Sequence, residues 1–381
     1  MKLKTIKIID YYIGNFLIVI LKPIVTLFGI ILHRDHSLKL KNSVTILKLM
    51  GGGSLVIAFP ALLGLRKKYP GLCINLLTTK GVTSFARTLN IFDNIIEIDY
   101  SSIFNFFHSS LRTFIKTFGT DTIIDLEAYS RLSTVFALLT FARNRIGFYL
   151  EEAFWRRRIN THLVFFNRFS GSYHFYDKIF QLFSVTPSSA VECQEHLLKF
   201  LPETGKSEKY RICIGHACSN LGLERMLDAK QWEKVFLSRI EESFEAEVIF
   251  LGAKSDSKLA SEIVERLYPR FRNIKFINFS GKTNLDKSLS ILSSSNEFWG
   301  IDSSLLHYAR LFKIKTVSWW GPTDPKTLLR EIPGLKEEIN YCKMPCSPCI
   351  HITETPPCMG DNVCIQNLFN EKKRDWIGLV T

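Results

Sequence analysis

Two short stretches, one apolar run apart, carry the residue types that hold a phosphate. Asp302-Ser303-Ser304 closes the run "EFWGI" and stands directly ahead of the helical pattern "LLHYARLF". Backbone amides at a helix start attract anions. Ser303 is of a type that caps a helix, Ser304 offers a second hydroxyl, and His307, four residues after Ser303, falls on the same helical face. After the next apolar run, "GPTDP" (Gly321 to Pro325) makes a tight turn at the same edge, with Thr323 and Asp324 as ligand groups. Either stretch alone reads equally well as capping or turn chemistry; together they point to a seat for a diphosphate. A third stretch, Gly51-Gly52-Gly53-Ser54, follows the apolar run Val44 to Leu49 and forms a small-residue loop that a ligand can approach closely.

The elements that must position these residues alternate. After Lys41, β-rich runs ("SVTILKLM", "CINLLTT", "IIEID", "TIIDLEA") alternate with helical ones ("AFPALLGLRKKYP", "VTSFARTLN", "FNFFHSSLRTFIKTFG", "RLSTVFALLTFA"). This is the signature of βαβ units on a parallel sheet, and the near-continuous apolar strands require cover on both faces. A polar stretch from Pro187 to Lys209 reads as a linker, after which the alternation restarts with "RICIGHA", "EVIFLGA", "IKFINFS", "EFWGID" and "KTVSWWG". The expected architecture is α/β: two Rossmann-like domains, 41–187 and 188–340, facing a cleft that is the default site. An N-terminal hydrophobic segment, 1–40, and a Cys-rich segment, 341–381, flank them.

Composition narrows the partners. The chain of 381 residues has 49 Lys and Arg against 36 Asp and Glu, a net charge of +13, so the partner is expected to be anionic. The basic residues are scattered and no nucleic-acid signature is present, which favours phosphate-bearing small molecules and membrane surfaces over nucleic acid. From Ile8 to Leu32 the sequence is long and apolar enough to span a bilayer, but Lys22-Pro23 interrupts it. A lysine near the bilayer centre costs roughly 2.5–3.5 kcal/mol, and Pro23 is expected to break or kink a helix there. No small-residue cleavage site follows, which argues against a signal peptide. Lys2, Lys4 and Lys7 suit anionic headgroups, while Tyr11, Tyr12 and Phe16 suit the interface. The leading expectation is a bent interfacial anchor, ahead of a true span and of a helix packed on the protein, with the globular part cytoplasmic in each case.

Five of the nine cysteines fall between Cys342 and Cys364. Cys346-x2-Cys349 and Cys358-x5-Cys364 have the types and spacing for one structural zinc, with His351 as a substitute ligand. Disulfides, reduced structural thiols, and a cluster triad at Cys342, Cys346 and Cys349 are the alternatives.

The sequence "DSSLLHYARLFKIKTVSWWGPTDP" resembles the pattern D-S-G-x-x-H-x-A…G-P-T-D-P of the family 9 glycosyltransferases, the heptosyltransferases. "FSGKTNLDKSLSILSSSNEFWGID", "LKLMGGGSLVIAFPALLGLRKKYPGLCINLL" and "TIIDLEAYSRLSTVFALLTFARNRIGF" are similar to further segments of that family, in order, over roughly residues 41–330. The resemblance implies a GT-B fold, with an acceptor-binding N-terminal domain and a nucleotide-sugar-binding C-terminal one. It also implies inverting transfer that needs no metal or other cofactor. Asp302, Ser303, His307, Thr323 and Asp324 match the donor turns; Ser304 replaces the usual glycine. Arg225 and Lys230 lie where the family places basic residues before a tryptophan-bearing helix.

Aligning back from Pro60-Ala61-Leu62 puts Ser54 where the resemblance leads one to expect the catalytic aspartate. Serine with an ordinary pKa cannot take the acceptor's proton unaided. Asp125 and Glu127, at the end of "TIIDLEA", are the nearest acids by topology. The implied activity is transfer of a sugar, a heptose from an ADP-linked donor, to a lipopolysaccharide-core or related anionic glycolipid at the inner face of the bacterial cytoplasmic membrane. The alternative is a catalytically impaired nucleotide-sugar or glycolipid binder, motivated by Ser54. A Rossmann epimerase fits worse, because "GGGSL" lacks the third glycine of a dinucleotide loop.

Overall fold

The structure is a computed structural model describing residues 3–381, apart from 168, 204–207, 219–221, 351–352, 354–355, 371–373 and 375–381. The chain divides into two compact units, Met1–Ser189 and Ala190–Thr381.

The first unit runs α1 (Leu3–Leu32), β1 (Ser43–Leu47), α2 (Gly52–Lys68), β2 (Cys73–Thr79), α3 (Lys80–Leu89), β3 (Asn94–Ile98), α4 (Ile103–Thr117), β4 (Thr122–Asp125), α5 (Arg131–Leu139), β5 (Asn144–Tyr149), β6 (His162–Phe165) and α6 (Ser172–Gln181). All pairings in its sheet are parallel and the strand order is β3-β2-β1-β4-β5-β6. The strands are buried on both faces, with Val44, Ile46, Ile74, Leu76, Ile123 and Ile124 fully enclosed, as their apolar runs require. The order reverses between β1 and β4, where Leu47 pairs with Asp125. In open α/β sheets the loops at such a reversal, beyond the strands' carboxyl ends, are where ligands bind.

The second unit runs α7 (Ala190–Phe200), β7 (Arg211–Gly215), α8 (Ala229–Arg239), β8 (Ala246–Phe250), α9 (Ser257–Leu267), β9 (Ile274–Asn278), α10 (Leu285–Ser293), β10 (Glu297–Ile301), α11 (Ser304–Leu311), β11 (Lys315–Trp320), α12 (Pro325–Leu328), β12 (Glu337–Tyr341) and α13 (Val363–Gln366). Its parallel sheet repeats the topology, order β12-β11-β10-β7-β8-β9, and the reversal lies between β7 and β10.

Two sequence expectations are refined. The polar stretch after Pro187 contains α7, whose Cys193 and Leu197 are buried and whose Gln194 Nε2 donates to the Phe312 carbonyl at 2.7 Å. At the N-terminus, α1 continues through Pro23, so of the expected break or kink the break does not occur. Proline removes a single amide donor and the helix re-forms on both sides. One stripe of α1 docks on the first unit. Asp10 accepts from the Ser130 hydroxyl at 2.6 Å and from the Arg131 and Leu132 amides at 3.0 and 2.9 Å, so it caps α5 from another helix. Arg131 Nε donates to Asn15 Oδ1 at 2.7 Å, and Ile18 is buried with Val135, Leu138, Leu150 and Trp155. The remaining faces, including Tyr12, Phe16, Val19, Leu27, Phe28 and Ile31, are exposed.

Candidate active site

In the second unit, the sheet reversal gathers the phosphate-type residues. Ser303 occupies the N-cap of α11 with extended backbone (φ −151°, ψ 167°), yet its hydroxyl makes no capping bond. The capping role expected from sequence is therefore not taken up. Ser303 Oγ and, one strand over, Thr323 Oγ1 are buried with no hydrogen-bond partner among the described residues. A buried polar atom without a partner costs about 1–3 kcal/mol, so two at one edge call for a ligand that bonds them. Ser304 opens α11 and is half-buried.

Arg225, on the loop after β7, donates from Nη1 to the Asp302 carbonyl at 3.0 Å and to Asp302 Oδ2 at 3.2 Å. Burial opposes the Arg225 charge, but Asp302 outweighs it and the pKa is raised. His307 Nε2 stands 3.9 Å from Asp302 Oδ1. Burial pushes His307 down to about 4, so it is neutral at pH 7. The cluster thus offers one fixed cation, neutral donors and the α11 amides, a set suited to an anion. Asp324 accepts from the Lys326 amide at 2.9 Å and so caps α12. Lys230 is exposed in the first turn of α8 and makes no ion pair among the described residues.

One buried group here was missed in the sequence. His216, directly after β7, donates from Nε2 to the Asp256 carbonyl at 2.9 Å, and its Nδ1 is buried with no hydrogen-bond partner among the described residues. A histidine immediately after an apolar strand run is the signal that was available.

In the first unit, the reversal between β1 and β4 brings together the glycine loop and the two acids. Gly51 has φ +80° and caps α2 in the left-handed region, and a Cβ on Gly52 would lie 2.3 Å from the Phe85 ring. Glycine is required at both, by conformation at the first and by space at the second. Gly53 and Ser54, in the first turn of α2, are half-buried.

Asp125 is fully buried and saturated. Its Oδ1 accepts from the Glu127 amide at 2.9 Å; its Oδ2 accepts from Ser133 Oγ at 2.7 Å, Arg156 Nη2 at 3.0 Å and Thr134 Oγ1 at 3.4 Å. Burial raises its pKa against the pull of Arg156. The same Arg156 Nη2 donates to the Glu127 carbonyl, so the pair fixes the loop that presents Glu127.

Glu127 is held differently. Its Oε1 accepts from Lys48 Nζ at 3.0 Å and from the Leu49 and Met50 amides at 2.7 and 3.0 Å. Its Oε2 carries no hydrogen bond among the described residues, and 17% of the side chain is exposed. Burial works against the Lys48 charge, but Glu127 and Tyr176 outweigh it and its pKa is raised. Burial raises the pKa of Tyr176, on α6, and Lys48, Glu127 and Ser54 stand close enough to act on it. Ser54, Lys48, Glu127 and Tyr176 form one polar cluster at the mouth of the glycine loop. Lys48 and Tyr176 were not singled out from sequence; a lysine ending an apolar strand run was the cue for the first.

Cys346, Cys349, Cys358 and Cys364 line one small cavity with Pro322, Met344 and Val363. Burial and the neighbouring sulfurs push Cys349 up to about 11 and Cys364 up to about 12. Among the described residues no three His, Cys, Asp or Glu side chains stand in metal-holding geometry, and His351 lies outside those residues. The segment braces the donor-type turn: the Cys349 amide donates to the Pro322 carbonyl at 3.1 Å, and a Cβ on Gly321 would lie 2.9 Å from Cys364 Sγ.

Comparison with known proteins gives consistent results. The family model described as "Glycosyltransferase family 9 (heptosyltransferase)" matches residues 121–359, more than half of the chain. Lipooligosaccharide heptosyltransferase 2 of Campylobacter jejuni subsp. jejuni serotype O:6 is 27% identical over 147 residues, 38% of this chain and 45% of that protein. The protein of the same name from Haemophilus influenzae is 26% identical over 118 residues, 28% of this chain and 34% of its own. The chain thus spans less than half the length of these curated relatives. Among solved structures, a glycosyl transferase family 9 protein from Veillonella parvula superposes with TM-score 0.62 at 17% identity, covering 80% of this chain and 87% of that one. The E. coli ADP-heptose lps heptosyltransferase II superposes with TM-score 0.58 at 14% identity, covering 85% and 97%. At such identities the likeness shows the fold, two parallel α/β domains of GT-B type.

Proposed function

The chain belongs to glycosyltransferase family 9, and on that premise we propose that it transfers a sugar from a nucleotide-diphospho-sugar, a heptose from ADP-heptose, to a lipopolysaccharide-core or related anionic glycolipid. The observation that carries the reading is the pair of orphaned hydroxyls, Ser303 and Thr323, beside the Asp302-held Arg225. They supply what a departing diphosphate needs: a cation, two hydroxyl donors and helix-start amides.

In the proposed step the acceptor hydroxyl gives its proton to Glu127 Oε2 and its oxygen attacks the anomeric carbon. The bond from that carbon to the diphosphate oxygen breaks, and the nucleoside diphosphate leaves with the electron pair, inverting the anomeric centre. Glu127 is favoured over Asp125 because Asp125 has no exposed surface and both its oxygens are engaged. The charge on the leaving group is met by side chains and amides, so the step requires no metal. Ser54 then shapes the acceptor loop beside Tyr176 rather than moving the proton. Asp302 positions Arg225, and His307 contributes a neutral donor. Asp324 holds the second turn through α12, and Lys230 stands outside the contacts described.

The second reading, a binder without turnover, draws on Ser54 itself. Transfer and nucleotide-sugar binding both require a donor site, whereas a glycolipid binder does not. Calorimetry of the full chain with ADP in excess chelator is expected to show one site; no binding by ADP or any other nucleoside diphosphate contradicts transfer and nucleotide-sugar binding alike and leaves only a glycolipid binder.

Two accessory parts complete the proposal. The four C-terminal cysteines fit one zinc in type and number, as a structural brace for the turn at Pro322; elemental analysis finding no metal in the full chain contradicts this. The exposed apolar faces of α1 are assigned to the cytoplasmic leaflet of the bacterial inner membrane, with the helix lying along the surface. The side-on docking through Asp10, Asn15 and Ile18 favours that arrangement over a span.

A further inference from the structure

Helix α4 is built inside out. Its sheet-facing side is largely small and polar: Thr113 and Thr117 are buried and Ser109 and Ser110 half-buried, with Phe106 and Phe114 beside them. These hydroxyls are satisfied locally, Thr117 Oγ1 donating to the Thr113 carbonyl at 2.9 Å and Ser109 Oγ to the Asn105 carbonyl at 2.7 Å. The bulky apolar residues point the other way. Ile103, Phe104, Phe107, Leu111 and Ile115 are 57–79% exposed, and Phe118, just past the helix end, is 56% exposed. At 100° per residue these six cover a continuous arc of about 120°. Beside that arc, His108, Arg112 and Lys116, spaced i, i+4, i+8, form an exposed line. The helix therefore has three faces: core, apolar and basic.

A face this apolar and aromatic in water is a docking surface. Its occupant is indicated by two observations. The basic line borders the apolar arc, the pattern of helices that lie in a membrane interface with cations at the headgroups. The apolar arc also continues to Phe141, which is tied to the segment that follows α1. The Phe118 ring stands 5.6 Å from that of Phe141, itself 52% exposed, and the Phe141 carbonyl accepts from Arg34 Nη1 at 2.7 Å just after α1 ends. We propose that α4 is a second membrane-docking element, its Phe104-Phe107-Leu111-Ile115 face entering an anionic leaflet alongside α1. The proposal extends the membrane reading of α1 and rests on it for the orientation of this unit. Two helices docking on one leaflet fix the orientation of this unit against it.

The test uses the full chain and sedimentation with vesicles of phosphatidylcholine containing phosphatidylglycerol. A Phe104→Ser/Phe107→Ser/Leu111→Ser/Ile115→Ser variant is expected to lose at least about tenfold in partitioning, with its thermal transition retained because those side chains are exposed. Arg112→Glu/Lys116→Glu is expected to weaken binding to anionic vesicles and to flatten its salt dependence. A separate variant with Phe16, Val19 and Leu27 changed to serine reports on α1 alone. Normal partitioning of the α4 variant while the α1 variant fails overturns the α4 proposal and leaves the α1 reading standing. Normal partitioning of both overturns both. An α4 variant that turns a dimer into a monomer without changing partitioning assigns the face to a second copy of the chain and also overturns the proposal.

Discussion

Glu127→Gln is expected to lower turnover by about 10²–10⁴-fold, equivalent to roughly 3–5 kcal/mol of transition-state stabilisation, with nucleotide affinity unchanged. The two carboxylate oxygens of Glu127 differ. Oε1 is the acceptor that ties Lys48 and the Leu49 and Met50 amides to the loop, and a glutamine carbonyl can keep those three bonds. Oε2 carries no hydrogen bond among the described residues, and the variant removes its basicity together with the negative charge that pairs with Lys48. Steady-state kinetics below the melting transition of both proteins separates the roles: a kcat that falls while the chain stays folded and binds nucleotide marks a group that takes the proton. Unchanged turnover excludes Glu127 as the base. Asp125→Asn should behave differently, lowering the melting temperature, because it leaves Arg156 buried without its counter-charge.

Arg225→Gln should weaken nucleoside diphosphate binding by roughly 10–100-fold, the worth of a charge-assisted bond at a partly buried site. Arg225 is the cation that the structure brings to the Asp302 turn, its guanidinium fixed at two points by that residue. Arg225→Lys should recover only part of the loss, since an ammonium cannot reproduce the fork. Lys230→Ala should change little, because that side chain is exposed on α8. Calorimetry of the three variants decides the matter. Weakened binding in Lys230→Ala with normal binding in Arg225→Gln would reverse the assignment.

The sheets were legible because their signal is local: doubly covered parallel strands read as apolar runs, and β1, β2, β4, β7, β8 and β10 all fall on such runs. The Asp302 and Gly321 turns were legible for the same reason, being short segments of typed residues at strand ends. What the hydroxyls do there was not. Ser303 looks like a cap in sequence, and only the geometry shows its oxygen unbonded. Long-range ties were invisible too. Nothing near Glu127 announces Lys48, 79 positions away, and nothing near Asp125 announces Arg156. For α4 the period was clear but the inward face was not, since a helix with this many phenylalanines is expected to bury them.

The central claim is tested most directly by incubating the full chain with ADP-heptose and a lipopolysaccharide-core glycolipid in the presence of chelator, and analysing the product by mass and NMR. Equimolar ADP and heptosylated glycolipid are expected, with the anomeric configuration inverted relative to the donor. ADP-heptose that binds but is recovered intact with every such acceptor would contradict it, and would make this chain a nucleotide-sugar binder rather than a transferase.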